Sequence, residues 1–266
     1  MFKLPLVFLL ILSACSAENG DGIADKNTAL SSMKNTNSLE DTTVNAVAND
    51  STLIYRSIQD SIFSSLNFTD VCCYNAKIKV DLQYRTPDNF FKMQLYKRLD
   101  RAFLSDEVAK KLGACQDYLS RIDSSLFLLV YDAARPVNVQ KKMWKALDSI
   151  PPKLRGRFVS SGRNLGMHNM GLAVDITICD ATGKPLDMGA SFDEIKEIAY
   201  PSKESYYLQT GKLTMQQIEN RKLLRKVMTS QGFWNLSTEW WHFTIGRHKN
   251  AVKNFPALLY EPGFEM

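Results

Sequence analysis

Histidine is scarce in this chain, with three residues among 266, at positions 168, 242 and 248. Any chemistry that needs imidazoles has only these positions to draw on. Cysteine is also rare: there are five, none arranged as a paired C-x-x-C, so a zinc ribbon is excluded. Adjacent Cys72 and Cys73 are poorly placed to bridge each other. No polybasic block is present. The net charge of +5 is scattered over segments such as NRKLLRK (220–226), a solvated helix face, and nucleic acid is not expected as a partner. The body shows no internal repeat.

The N-terminus, MFKLPLVFLLILSAC, has one lysine, an apolar run and then small residues. These are the zones of an export signal, and the run is too short for a comfortable membrane span. A cysteine directly after Leu12-Ser13-Ala14 resembles a bacterial lipobox. That resemblance implies a signal over 1–15, a lipidated Cys15 that tethers a soluble body to a membrane, and a place in the cell envelope, facing the periplasm or outer surface. In such a compartment a disulfide among Cys72, Cys73, Cys115 and Cys179 is allowed. Residues 16–50 are rich in Ser, Asn, Thr, Asp, Glu and Ala with no aromatic. Burial there cannot offset the entropy of ordering the chain, so the segment reads as a tether.

The body, 51–266, contains no second linker, and a chain that is 45% hydrophobic can build a proper core. Residues 91–122 carry apolar side chains at helical spacing, including Val108, Leu112, Cys115 and Leu119, which predicts one or two amphipathic helices. SLFLLVYDA (125–133) is a continuous apolar run suited to a buried strand, ended by Arg135-Pro136 before a helix over VNVQKKMWKALDSI. GLAVDITICD (171–180) alternates as a strand, and TMQQIENRKLLRKVMTSQG (214–232) reads as a helix closed by glycine. The order predicts a single α+β domain.

Strand parity sharpens the reading of GLAVDIT. If Leu172, Val174, Ile176 and Ile178 face a core, Ala173, Asp175 and Thr177 face the other way. His168 lies seven residues before Asp175, across a bend that Gly171 permits. In TEWWHFTI (238–245), His242 shares a face with Trp240 and Thr244. Glu239 has the wrong parity for that face, so it reaches the neighbourhood of His242 only from a turn before the strand. Two readings stand. One is a buried histidine satisfied by a polar partner. The other is a metal site of His168, Asp175 and His242, with three protein ligands leaving a position for water, Glu239 as general base and Arg135 as a fixed charge for an oxyanion. His248 reads as a surface histidine near a strand end.

H-N-M-G-L-A-V-D-I (168–176) resembles the H-x-x-G-x-A-x-D signature of the zinc D,D-peptidase superfamily, which also holds D-alanyl-D-alanine carboxypeptidases and the hedgehog signalling domain, and E-W-W-H (239–242) is similar to its second motif. YRTPDNF (84–90), LLVYDAARP (128–136), TGKPLDMGASFD (182–193) and 220–243 resemble the D-alanyl-D-alanine dipeptidases of the vancomycin-resistance type. The resemblance implies a small, mostly antiparallel central sheet flanked by helices and one zinc ion on His168, Asp175 and His242. It further implies Glu239 as base, Arg135 stabilising the tetrahedral intermediate, and Asp193 anchoring the ammonium of a D,D-dipeptide. Rival functions are a D,D-carboxypeptidase acting on longer wall peptides and a non-catalytic zinc-containing binding module. One departure stands out: the family's serine two residues before its first histidine is Gly166 here.

Overall fold

The computed structural model describes residues 53–156 and 159–262. The signal zone 1–15 with Cys15 and the tether 16–50 lie outside the described residues. Among the described residues no helix is long and apolar enough to cross a membrane, and Cys72, Cys73, Cys115 and Cys179 are free thiols.

Helix α1 covers residues 53–65. Strands β1 (Phe68–Asp70) and β3 (Phe103–Ser105) pair antiparallel as a two-stranded sheet. The larger sheet runs β2 (Lys79–Val80), β4 (Phe127–Asp132), β5 (Ala173–Cys179), β7 (His242–Thr244), β6 (Trp234–Asn235). Only its β2–β4 pair is parallel. The expected mostly antiparallel sheet is therefore present, with the small β1–β3 sheet as an addition. Helices α2 (Asp106–Ile122) and α6 (Met215–Thr229) add Leu112, Leu119, Leu224 and Val227 to the same core cluster as Val130, Val174, Ile176 and Phe243. The shorter helices are α3 (Val137–Ala146), α4 (Pro152–Arg155), α5 (Glu204–Gln209) and α7 (His248–Asn254).

All seven residues of β5 are buried. Its alternation therefore does not separate core from solvent but separates an apolar face from a polar one, both covered. The start of α6 follows from its sequence: Thr214 and Gln217 form a reciprocal capping box.

The stretch 91–122 departs from expectation, because helix forms only from Asp106 onward. Upstream, the amides of Leu95 and Tyr96 both donate to the Tyr84 carbonyl, and those of Lys97, Arg98 and Leu99 donate to the Glu261 carboxylate. Amides committed to distant acceptors are lost to i→i−4 bonding, so helical spacing is overridden. His248 also differs, opening α7 where a strand end was expected. Gly246, at φ 81°, turns the chain away from β7 first.

Gly171 fixes the bend into β5. Its φ is 62°, its carbonyl accepts from the Ser105 amide at 3.0 Å, and an added Cβ would stand 2.6 Å from that amide nitrogen. Both the left-handed conformation and the backbone contact demand glycine. Gly171→Ala is expected to destabilise the fold by about 2–4 kcal/mol, read as a lower urea midpoint at unchanged m-value.

Candidate metal centre and active site

Sheet register builds the site. Asp175 on β5 stands opposite His242 on β7 and opposite Asp132 on β4. Residues directly opposed on antiparallel strands project to the same face, so three polar side chains form a row across three adjacent strands. The fourth group, His168, comes from the 3-10 turn His168–Met170 just before β5.

Three donors converge. His168 Nε2 is 3.2 Å from His242 Nδ1 and 3.3 Å from Asp175 Oδ1, and His242 Nδ1 is 2.9 Å from Asp175 Oδ1. Among the described residues this is the group of His, Cys, Asp or Glu side chains whose ligand atoms come together. The Ala133 carbonyl lies 2.7 Å from His168 Nδ1. A carbonyl only accepts, so Nδ1 carries the proton and Nε2 presents a lone pair to the cluster. Tetrahedral nitrogen and oxygen ligands at zinc distances are separated by about 3.4 Å, close to the spacing seen. The donor set and its geometry therefore fit a divalent cation. Burial opposes the charge on Asp175, but His168 and His242 outweigh it and hold that carboxyl well below the ordinary range.

Arg135 follows β4 and is buried. Its Nε donates to Asp132 Oδ2 at 2.8 Å, and its Nη2 contacts Asp132 at 2.7 Å and Asp175 Oδ2 at 3.2 Å. Burial alone would weaken its charge, yet Asp132 with Tyr84 and Asp175 raises its pKa well above the usual value. Asp175 thus turns one oxygen to the imidazoles and the other to the guanidinium.

Glu239 lies in the turn between β6 and β7, with Oε2 3.9 Å from His242 Nδ1. Its side chain keeps one-fifth of its surface exposed, facing the cavity. Burial pushes its pKa up to about 7, with Asp175 and Asp193 adding to the rise and His242 opposing it. Asp193 is reached through the loop after β5 and accepts a hydrogen bond from Tyr84 Oη at 2.7 Å. Burial and then Asp175 push its carboxyl up to about 7 as well. It holds a left-handed φ of 59°, a conformation aspartate tolerates better than most residues.

These groups line a cavity of about 540 Å³, together with Tyr84, Gln140 and Trp241. Its volume is in the range of small-molecule pockets. At Gly166 an added Cβ would meet the Gln140 carboxamide at 3.3 Å and Asn169 Oδ1 at 3.4 Å, so Gln140 fills the space beside this position. His248 lies apart, exposed, with Nε2 2.6 Å from the Leu165 carbonyl.

Sequence reasoning missed Asp132, Tyr84, Tyr96 and Gln140. Asp132 gave a signal: it is the one charged residue at the end of the apolar run 125–133, three positions before Arg135. Tyr84 opens the block YRTPDNF that carries part of the family resemblance, whereas Tyr96 and Gln140 look like ordinary core or helix residues and gave no signal.

The family model described as D-ala-D-ala dipeptidase, peptidase M15, matches residues 64–257. A D-alanyl-D-alanine dipeptidase of Escherichia coli (strain K12) is 32% identical over 171 residues, covering 63% of this chain and 79% of that relative. One from Synechocystis is 29% identical over 202 residues, covering 64% and 74%. A third, from Enterococcus faecium, is 29% identical over 163 residues, covering 56% and 73%. With the convergent donors all inside the matched segment, the chain belongs to the D-Ala-D-Ala dipeptidase family of M15 peptidases.

Proposed function

We propose that the chain hydrolyses D-alanyl-D-alanine or a closely similar D,D-dipeptide, with one zinc ion held by His168, Asp175 and His242. The observation that carries this reading is the convergence of three ligand atoms on the wall of a cavity that also presents Glu239 and Asp193. Family membership supports the substrate class.

A divalent ion held by His168, Asp175 and His242 would supply Lewis-acid character and lower the pKa of a water nucleophile. The chain's own residues do the rest. Glu239, beside His242 and open to the cavity, accepts the proton of the attacking water and passes it to the leaving amine. Arg135 Nη1 has no acceptor among the described residues, while Nε and Nη2 are taken by carboxylates. With Arg135 lining the cavity, that Nη1 is the donor assigned to the oxyanion growing on the scissile carbonyl, in a setting where a fixed charge acts strongly. Asp193, oriented by Tyr84, binds the substrate ammonium. An ammonium there offsets the neighbouring Asp175 charge and stabilises Asp193 as carboxylate.

The place of action rests on residues 1–15 alone. A lipid on Cys15 would hold the enzyme in the envelope, away from dipeptide pools in the cytosol, and its role there is turnover of wall-derived D,D-dipeptides.

Glu239→Gln is expected to lower kcat by about 10²–10⁴-fold while retaining the parent's zinc content by elemental analysis. His242→Ala is expected to lose the metal itself. A glutamine variant as fast as the parent would remove Glu239 from the role of base. For the anchor, cells expressing the full chain should incorporate labelled fatty acid into the parent protein and not into Cys15→Ser. Equal labelling of the two rejects the tether.

A further inference from the structure

The C-terminal strap runs past the end of the family match, which stops at residue 257. Its first half lies on one wall of the site. The carbonyls of Leu258 and Leu259 accept from the amides of Val137 at 2.9 Å and Asn138 at 3.1 Å, directly after Arg135-Pro136. The Leu258 amide donates to the Asn169 carbonyl at 2.7 Å, next to His168. That wall is internally braced: the Arg135 amide donates to the His168 carbonyl at 3.1 Å, and Asn169 Nδ2 donates to the Arg135 carbonyl at 2.8 Å.

The second half of the strap crosses to another segment. Glu261 is 3% exposed. Its carboxylate accepts from three successive amides, those of Lys97 at 2.9 Å, Arg98 at 2.6 Å and Leu99 at 2.7 Å. The two preceding amides, of Leu95 and Tyr96, donate to the Tyr84 carbonyl at 2.9 Å each. Five consecutive N–H groups thus leave segment 95–99 toward fixed acceptors. Side chains carry this order into the site. Tyr96 Oη donates to Asp132, the partner of Arg135, and Tyr84 Oη donates to Asp193.

We propose that Glu261 is a positioning residue for the dipeptidase reaction, fixing segment 95–99, and through it Tyr84 and Asp132, against the wall that carries Arg135 and His168. The proposal rests on the functional reading above. The physical reason is the set of three charge-assisted hydrogen bonds that the carboxylate accepts. Removing the carboxylate leaves three amides without their acceptor, and bonds to a charged group are roughly twice as strong as neutral ones. Displacing Asp132 or Tyr84 by a fraction of a bond length then misaims Arg135 and Asp193.

The test uses the full chain. Glu261→Ala is expected to lower kcat/KM for D-alanyl-D-alanine by about tenfold to a hundredfold per folded molecule, and Glu261→Gln, which keeps one acceptor oxygen, to recover part of that loss. Combined with Tyr96→Phe, either substitution should cost less than the product of the single losses, because both act through Asp132. Full activity per folded molecule in Glu261→Ala, or losses that multiply, overturns the proposal. If Glu261→Ala does not fold, the Glu261→Gln and Tyr96→Phe cycle decides by the same criterion. Amide hydrogen exchange separates this idea from the substrate assignment. Even if the parent leaves D,D-dipeptides intact, faster exchange at Arg135 and Gly171 as well as at 97–99 supports the coupling, and a change confined to 97–99 overturns it.

Discussion

Four carboxylates share one buried guanidinium at this site. Asp132 and Asp175 hold Arg135 from two sides, and Asp193 and Glu239 face the same cavity with carboxyl groups raised to about 7. Taking so much negative charge out of water is costly unless positive charge is brought to it. The fixed supply is a single arginine. A divalent cation among the three converged donors and an ammonium beside Asp193 would together balance the excess. Charge deficit and geometry therefore support the same proposal, a metal at the three donors and an amine beside Asp193. A neutral ligand or a bare anion answers neither demand.

Much of this was legible because chemistry obeyed strand parity. Asp175 fell on the polar face of GLAVDIT, and Glu239, out of register with His242, occupies the turn that parity required. The scarcity of histidine left few candidates for ligands. What stayed hidden was set by long-range backbone bonding. Segment 91–102 carries helical spacing, but the amides of 95–99 within it go to Tyr84 and Glu261, and nothing local announces a carboxylate more than 160 residues downstream. Asp132 was hidden differently. A charged residue closing an apolar strand reads as its edge, and only the pairing of β4 with β5 sets it opposite Asp175. The covered polar face of β5 also escapes periodicity, which assigns polar positions to solvent.

Gly166 shows how a departure from a family pattern is absorbed locally. Its amide donates to Asn169 Oδ1 at 2.7 Å, and Asn169 in turn holds the Arg135 carbonyl. The loop entering His168 is therefore tied down by backbone and carboxamide bonds, with no side chain needed at 166. The volume that a side chain would take borders the Gln140 carboxamide, which lines the cavity from α3. A polar group is thus retained at that wall, but it is longer and carried by a different element. Selectivity at this end of the cavity should differ from that of a site bearing a hydroxyl, because a carboxamide offers both a donor and an acceptor at fixed separation.

The elements divide the work by stiffness. Asp175 and His242 stand on central strands locked by register on both sides, and His168 sits just before β5 with its carbonyl accepting from the amides of Arg135 and Gly171. These are the groups whose separation has to stay within fractions of an ångström for a cation to be held. Glu239 and Asp193 sit instead on turns, outside the register that fixes the strands. Tyr84 limits that freedom at Asp193 by a hydrogen bond from a buried side chain. Rigid ligands beside guided, turn-borne carboxylates let the proposed metal remain fixed while substrate enters and product leaves. The strap at residues 258–261 bonds the first turn of α3, the 3-10 turn at Asn169 and segment 97–99, so it fastens the segments that flank the central strands.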